Sequence, residues 1–225
     1  MKNRMIKVGT VVPRMKVANV TYNVAQIIQT MNENADAGFL VYPELCLTGY
    51  TCGDLFGQFT LLDAVEDGLF KIANASNKLE GLTVVVGAPL RFENHLYNCA
   101  VYISECVIVG IVPKINLPTY SEFYESRWFT SGKNIVSKMI QLGDEFIPFG
   151  RNVLACDSRS GAIVGLDICE DLWVPDKPST HACLAGANII ANLSASDEII
   201  GKQDYRRTMV LQQSASCYCA YLYVS

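Results

Sequence analysis

Three apolar runs in this chain each finish on a side chain able to do chemistry. Phe39-Leu40-Val41-Tyr42-Pro43 ends at Glu44, Val107-Ile108-Val109-Gly110-Ile111-Val112-Pro113 ends at Lys114, and Ala162-Ile163-Val164-Gly165-Leu166-Asp167-Ile168 ends at Cys169. In α/β proteins, groups at the C-terminal ends of strands project into one crevice. A carboxylate, an ammonium and a thiol distant in sequence are therefore expected to converge. A carboxylate near a thiol removes its proton and then protonates a leaving amine. A nearby ammonium favours thiolate and stabilises a developing oxyanion. The segment Glu170-Asp171-Leu172-Trp173 after the cysteine reads as a tight turn into a short helix, with the Glu170 N–H as a second oxyanion donor. The reaction class is acyl transfer through a thioester. Taken singly, Glu44 reads as a surface residue at a strand end, Lys114 as a solvated turn residue and Cys169 as one more buried thiol.

The other reactive side chains point elsewhere. The chain has nine cysteines and two histidines. Most of the cysteines sit in apolar runs such as Asn98-Cys99-Ala100-Val101, where a free thiol behaves as a small hydrophobe. No CxxC pair exists, which argues against a metal site. Cys217-x-Cys219 reads as a pair on successive turns or as an element boundary. His95 in a polar turn and His181 in a Pro/Ser/Thr-rich stretch read as surface or loop residues, which disfavours a His-activated nucleophile.

Alternating apolar runs and amphipathic helices must position these groups. Strands are expected at residues 6–12, 39–42, 83–89, 96–104, 106–112, 160–168, 188–193 and 220–224, with a hairpin at Ser104-Glu105. A first helix carries Val20, Val24, Ile28 and Met31 on one face and is capped by Asn19. A second has Leu62, Val65, Leu69, Ile72 and Ala73 on one stripe, with a capping-box-like start at Thr60 and Asp63. Further helices are expected at 181–185 and 202–217. Runs apolar on both faces imply an α/β fold with sheets covered on both sides.

Composition bounds the class. The 225 residues are 50% hydrophobic and 18% charged, which excludes disorder and fits one large domain. Net charge is −4 with no long basic cluster, against nucleic acid as a partner. No run reaches a membrane span of about 20 apolar residues. The charged start at 1–7 lacks an apolar signal core, since Pro13 and Arg14 interrupt the next apolar stretch. A reducing cytoplasm is the expected compartment. The chain stops just after the apolar run 221–224, and a C-terminally truncated fragment of a longer polypeptide is expected.

Pro43-Glu44-Leu45, Pro113-Lys114 and Asp167-Ile168-Cys169-Glu170-Asp171 resemble the three signature segments of the nitrilase, or carbon–nitrogen hydrolase, superfamily. The resemblance implies a four-layer αββα sandwich with Glu44 as general base, Lys114 as transition-state stabiliser and Cys169 as nucleophile. The segments 47–56, from Leu47-Thr48-Gly49-Tyr50, and 117–129, from Leu117-Pro118-Thr119-Tyr120, are similar to those of glutamine-dependent NAD synthetases. So is Asn192-Leu193-Ser194-Ala195-Ser196 with Gly201, Lys202 and Arg206. On this likeness residues 1–225 are an N-terminal glutaminase domain that hydrolyses L-glutamine and feeds ammonia to a C-terminal synthetase domain. That second domain, with its ATP and Mg²⁺, lies outside this chain, and the glutaminase domain itself needs no cofactor.

The resemblance also assigns supporting residues. Glu125 orients Lys114 and assists proton transfer, where the residues alone suggest a loop salt bridge to Arg127. Tyr120, Glu170 and Ser196 hold the amino-acid end of glutamine, Lys202 pairs with its carboxylate, and Tyr50 is a pocket residue. Asp197-Glu198 stand where many relatives have proline and an apolar or aromatic residue. They bring two negative charges that weaken carboxylate binding unless they face solvent. Superfamily sandwiches usually associate, and a mean hydropathy of +0.20 agrees with a homo-oligomer. The competing readings are a free-standing amidase or carbamoylase of the same superfamily, and a non-catalytic assembly domain of the same fold.

Overall fold

The computed structural model describes residues 5–225; the charged start at 1–4 lies outside them. Two sheets stack face to face. The larger has the order β1-β2-β3-β4-β5-β7-β6 and the smaller β11-β10-β9-β8. The first comprises β1 (Val8–Thr10), β2 (Phe39–Val41), β3 (Thr83–Phe92), β4 (His95–Ser104), β5 (Val107–Pro113), β6 (Lys138–Leu142) and β7 (Glu145–Phe149). The second comprises β8 (Ala155–Asp157), β9 (Ala162–Ile168), β10 (Ile189–Leu193) and β11 (Ala220–Val224). Helices α1 (Val20–Glu33) and α2 (Phe59–Ser76) cover one outer face, and α3 (Pro178–Leu184) and α4 (Lys202–Cys217) the other.

The period-2 alternation of strand side chains explains the layers. Phe39, Val41, Val85, Ala100, Tyr102 and Val112 point inward and meet Val164, Leu166, Ile168, Ile189 and Leu193 of the second sheet. Their neighbours Leu40, Val84, Val86, Val101 and Ile103 point outward and meet Ile27, Met31, Leu69 and Ile72 of α1 and α2. Fully burying each such side chain contributes roughly 1.5–3 kcal/mol. The Tyr102 hydroxyl donates to the Val164 carbonyl at 2.8 Å and ties the two inner faces together. This is the expected αββα arrangement.

Several local expectations need correction. The strand expected at 6–12 is shorter, with regular strand only over β1 and flanking backbone bonds at Lys7 and Val11, and Val12 is exposed. On α1, Asn19 does cap, accepting from the Tyr22 N–H at 3.0 Å. Ile27, however, takes the buried place expected of Ile28, which flanks the stripe half-buried. Helix α2 begins at Phe59 behind Gln58 without a side-chain cap. Asp63 faces Arg91 at 2.6 Å instead of closing a capping box. Helix α3 starts three residues early because Pro178 suits a first helical turn, where its missing N–H costs nothing. The β6–β7 hairpin and β8 were not anticipated. Cys217 and Cys219 flank the left-handed Tyr218 where α4 gives way to β11, an element boundary.

Candidate active site

The layers explain how distant residues meet. β1, β2 and β3 run parallel, and β5 shares their direction because two antiparallel pairings separate it from β3. In the second sheet β9, β10 and β11 are mutually parallel. The chain leaves β2 at Glu44, β5 at Lys114, β9 at Cys169 and β10 at Ser194-Ala195. The Glu44 N–H donates to the Ser194 carbonyl at 3.3 Å, so these ends of the two sheets touch.

Lys114 is fully buried, and its Nζ lies 2.6 Å from Glu44 Oε1 and 2.6 Å from Glu125 Oε1. Glu44 is fixed further by Asn98 Nδ2 on Oε1 at 2.7 Å and by the Ala195 N–H on Oε2 at 3.0 Å. Asn98 also accepts the Lys114 N–H at 2.7 Å through its carbonyl. Glu125 receives the Tyr50 hydroxyl at 2.8 Å. Arg127, its alternative partner, is turned to Asp54 at 3.1 Å.

The charges follow from burial and neighbours. Burial pulls the Lys114 ammonium downward, but Glu44, Cys169 and Glu125 outweigh it and hold the group above the ordinary ammonium range. Burial and the Glu44 charge push Glu125 well above the usual carboxyl range, against the opposing pull of Lys114. Burial, then the Glu44 charge, raise the Cys169 thiol to about 12, with Lys114 acting in the opposite sense. At neutral pH the free site therefore holds a thiol, not a thiolate.

Cys169 has φ +46°, a left-handed conformation unusual for a side chain of this kind. It opens a 3₁₀ turn, Cys169–Leu172, directly behind β9. Four bonds hold that kink. The Cys169 N–H donates to Asn192 Oδ1 at 3.2 Å, and the Ile168 N–H to Asp171 Oδ2 at 3.1 Å. Asp171 Oδ1 accepts both the N–H and Nδ2 of Asn116 at 2.9 and 2.8 Å, tying the turn to the loop after Lys114.

Gly87 is a steric requirement of the same region. A Cβ there would lie 2.3 Å from the Leu45 nitrogen and 2.8 Å from the Glu44 carbonyl carbon. Gly87→Ala is expected to push the Glu44 turn off its lysine. It should destabilise the fold by about 1–3 kcal/mol in thermal or denaturant unfolding.

Above the cluster a pocket of roughly 410 Å³ is lined by Tyr120, Phe123, Cys169, Glu170, Ser196 and Lys202, among others. The Tyr120 hydroxyl donates to Glu170 Oε2 at 2.9 Å. Four of the expected binding residues thus share one cavity with the cysteine, while Tyr50 reaches the cluster through Glu125. Asp197 also lines the cavity and is ion-paired with Lys202. Glu198 pairs with Arg206 at 2.7 Å and is not part of the wall. Neither histidine belongs to the site: His95 meets Thr130 and His181 meets Asp176, both at the surface. Among the described residues, no group of three His, Cys, Asp or Glu side chains is arranged to hold a metal ion.

Asn98, Asn192, Asp171, Gly87 and the Ala195 N–H were missed in the sequence. Asn98 and Asp167 had one legible signal, a lone polar residue inside an apolar strand. Asp167 is buried and accepts the Tyr221 hydroxyl at 2.8 Å, and Tyr221 in turn accepts from Asn192 Nδ2 at 3.1 Å.

A stacked pair of sheets with a cysteine, a lysine and two carboxylates gathered at one end defines a nitrilase-type hydrolase fold. The chain belongs to the carbon–nitrogen hydrolase family, matched over residues 7–222. It is 39% identical to the glutamine-dependent NAD(+) synthetase of Mycobacterium leprae over 98% of its length, and 31% identical to that of Thermotoga maritima over 89%. It spans about a third of these relatives, 32% of each. Among solved structures, the glutamine-dependent NAD(+) synthetase from Cytophaga hutchinsonii superposes with a TM-score of 0.85 at 30% identity, over 97% of this chain and 35% of that one. An amidase from Nesterenkonia sp. shares the fold, with a TM-score of 0.73 at 14% identity over 97% and 76% of the two chains. Among the described residues no helix is long and apolar enough to cross a membrane.

Proposed function

We propose that this chain is the glutamine-hydrolysing portion of a glutamine-dependent NAD synthetase, with Cys169 as nucleophile, Glu44 as general base and acid, and Lys114 as oxyanion stabiliser. One observation carries the reading: Lys114 joins Glu44 and Glu125 in a buried cluster whose charges act on Cys169, at the floor of a pocket that also holds an acid and a cation.

The chemistry follows from the charge state. Glu44 takes the Sγ proton as sulfur attacks the side-chain amide carbon of glutamine. The carbonyl oxygen becomes an oxyanion beside the Lys114 ammonium. Glu170 stands in the first turn of its 3₁₀ segment, where N–H groups lack an intrahelical acceptor, and its N–H is the second donor. The tetrahedral species collapses, the C–N bond breaks, and Glu44 returns the proton to nitrogen so that ammonia leaves. Water then attacks the thioester carbon with Glu44 accepting its proton, the C–S bond breaks, the proton passes to sulfur and glutamate departs. Glu125 Oε2 is buried and has no partner among the described residues, which suits it to accept an N–H of the substrate amide.

Tyr120, Glu170, Ser196 and Lys202 hold the amino-acid head, and Tyr50 steadies Glu125. The ammonia serves a synthetase portion of the same polypeptide, which uses ATP and Mg²⁺ to amidate deamido-NAD. A homo-oligomer in the cytoplasm suits the nine free thiols and the apolar surface at Leu184, Ile200 and Tyr218.

Substrate profiling tests the proposal. Ammonia release from glutamine is expected to exceed release from butyramide by more than about 100-fold in kcat/KM, since the polar head site is wasted on an aliphatic amide. Equal rates would favour a general amidase, and a glutamine-like electrophile that labels a thiol other than Cys169 would displace the assigned nucleophile.

A further inference from the structure

The wall of the Cys169 pocket carries more negative charge than a bare carboxamide requires. Glu122, Glu170 and Asp197 stand against a single cation, Lys202. Asp197 and Lys202 are paired with side chains only 23% and 15% exposed, and the ammonium lies 5.2 Å from the Trp173 ring centre and 5.9 Å from that of Phe123. Glu170 is half-buried, and burial pushes its carboxyl upward against the Tyr120 hydrogen bond and the charges of Lys114 and Lys202; among the described residues it joins no direct ion pair. The hydrogen bond from Lys202 holds the Asp197 carboxyl below the usual range. Glu198, the next residue, is engaged by Arg206 outside the cavity. Of the two adjacent acids, only Asp197 faces the space a substrate enters.

We propose that Asp197 is a specificity-determining residue that receives the α-ammonium of the amino-acid substrate, the Asp197–Lys202 pair opening to take a zwitterion head to tail. The inference rests on the glutamine-hydrolysing reading above. The α-carboxylate goes to Lys202 and the α-ammonium to Asp197 and Glu170. Asp197 and Lys202 then each keep a partner as the pair parts, and Glu170 gains a direct ion-pair partner. A substrate with the carboxylate but no ammonium draws Lys202 away and leaves Asp197 beside Glu122 with no counter-charge. Stranding a partly desolvated charge in this way is strongly unfavourable. The pair therefore selects zwitterions over simple anions, and the acid at position 197 assists binding rather than opposing it.

The test compares L-glutamine with 4-carbamoylbutanoate, the same amide without its ammonium, in the parental protein and in Asp197→Asn, Asp197→Glu and Glu198→Gln. The parental protein is expected to prefer glutamine by at least about 100-fold in kcat/KM. Asp197→Asn should shrink that preference at least about 10-fold through KM, with kcat for glutamine nearly unchanged. Asp197→Glu should restore part of it, and Glu198→Gln should match the parent. An unchanged preference in Asp197→Asn would overturn the inference while leaving glutamine hydrolysis intact. A lower KM for glutamine in that variant would overturn it too, because Asp197 would then only compete with the substrate for Lys202. A parental protein that hydrolyses neither amide would remove the functional reading, and this inference with it.

Discussion

Cys169→Ala is expected to abolish ammonia release from glutamine, with a loss on the order of 10⁴-fold or more, while the melting temperature stays within a few degrees of the parent. The size of the loss follows from the chemistry: without sulfur no thioester forms, and the remaining donors have nothing to stabilise. The small effect on folding follows from the contacts. The kink at residue 168–171 is held by the Ile168 and Cys169 N–H groups and the Asp171 carboxylate, none of which the substitution removes. In a polypeptide that also carries a synthetase portion, NAD formation from added ammonia should survive. A second readout reports the proton. The thiol is pushed up to about 12 by burial and by Glu44, so its reaction with iodoacetamide should climb steadily from pH 6 to pH 9 without a plateau. A plateau near neutrality would mean a preformed thiolate, and the role of Glu44 in taking the proton would be lost.

A cysteine kept as a thiol suits an amide better than a permanent thiolate. The poor leaving group is an amine, which must be protonated before the C–N bond yields. Glu44 acquires that proton only if the nucleophile still carries it at the moment of attack. The two bonds on Glu44 from Asn98 and Ala195, together with Lys114, fix the carboxylate where it can serve both transfers.

What the sequence disclosed and what it hid have separate physical causes. The ends of β2, β5 and β9 were legible because a long apolar run that breaks off at an ionisable residue is itself a pattern. Asn19 was legible because a cap is a local event. Glu125 was ambiguous from its neighbours alone: Arg127 is two residues away and Lys114 is eleven, and only the path of the loop 115–124 decides between them. The backbone N–H of Ala195 has no side-chain signature and depends on β10 lying next to the exit of β2. Asp197 and Glu198 read as one acidic pair, yet the segment sends one into the pocket and the other to Arg206 on α4. The β6–β7 hairpin did leave a trace. Gly143 has φ +53° in a two-residue turn with Asp144, but the flanking strands are short and six of their ten side chains are exposed.

Lys114→Ala is expected to be the most destabilising single change in the site, at about 3–5 kcal/mol, and to remove turnover as well. The side chain is fully buried, and its ammonium is shared by two carboxylates at 2.6 Å each. Without it Glu44 and Glu125 become two uncompensated acids side by side. The fold must then bind a proton or open to water. The loss therefore depends on pH, and in one direction. Glu125 already sits above its ordinary range with the lysine present, and removing the opposing positive charge raises it further. A carboxyl raised in the folded state favours the folded form at low pH, and that contribution disappears as pH rises through the folded value. The variant should therefore regain stability from pH 8 down toward pH 5, where the parent gains less. Adding Glu125→Gln should recover a large part of the loss at pH 8, because it deletes one of the stranded charges, yet leave hydrolysis abolished. If the double variant is no more stable than Lys114→Ala alone, the buried lysine is not balancing the two acids, and the electrostatic account of the site fails.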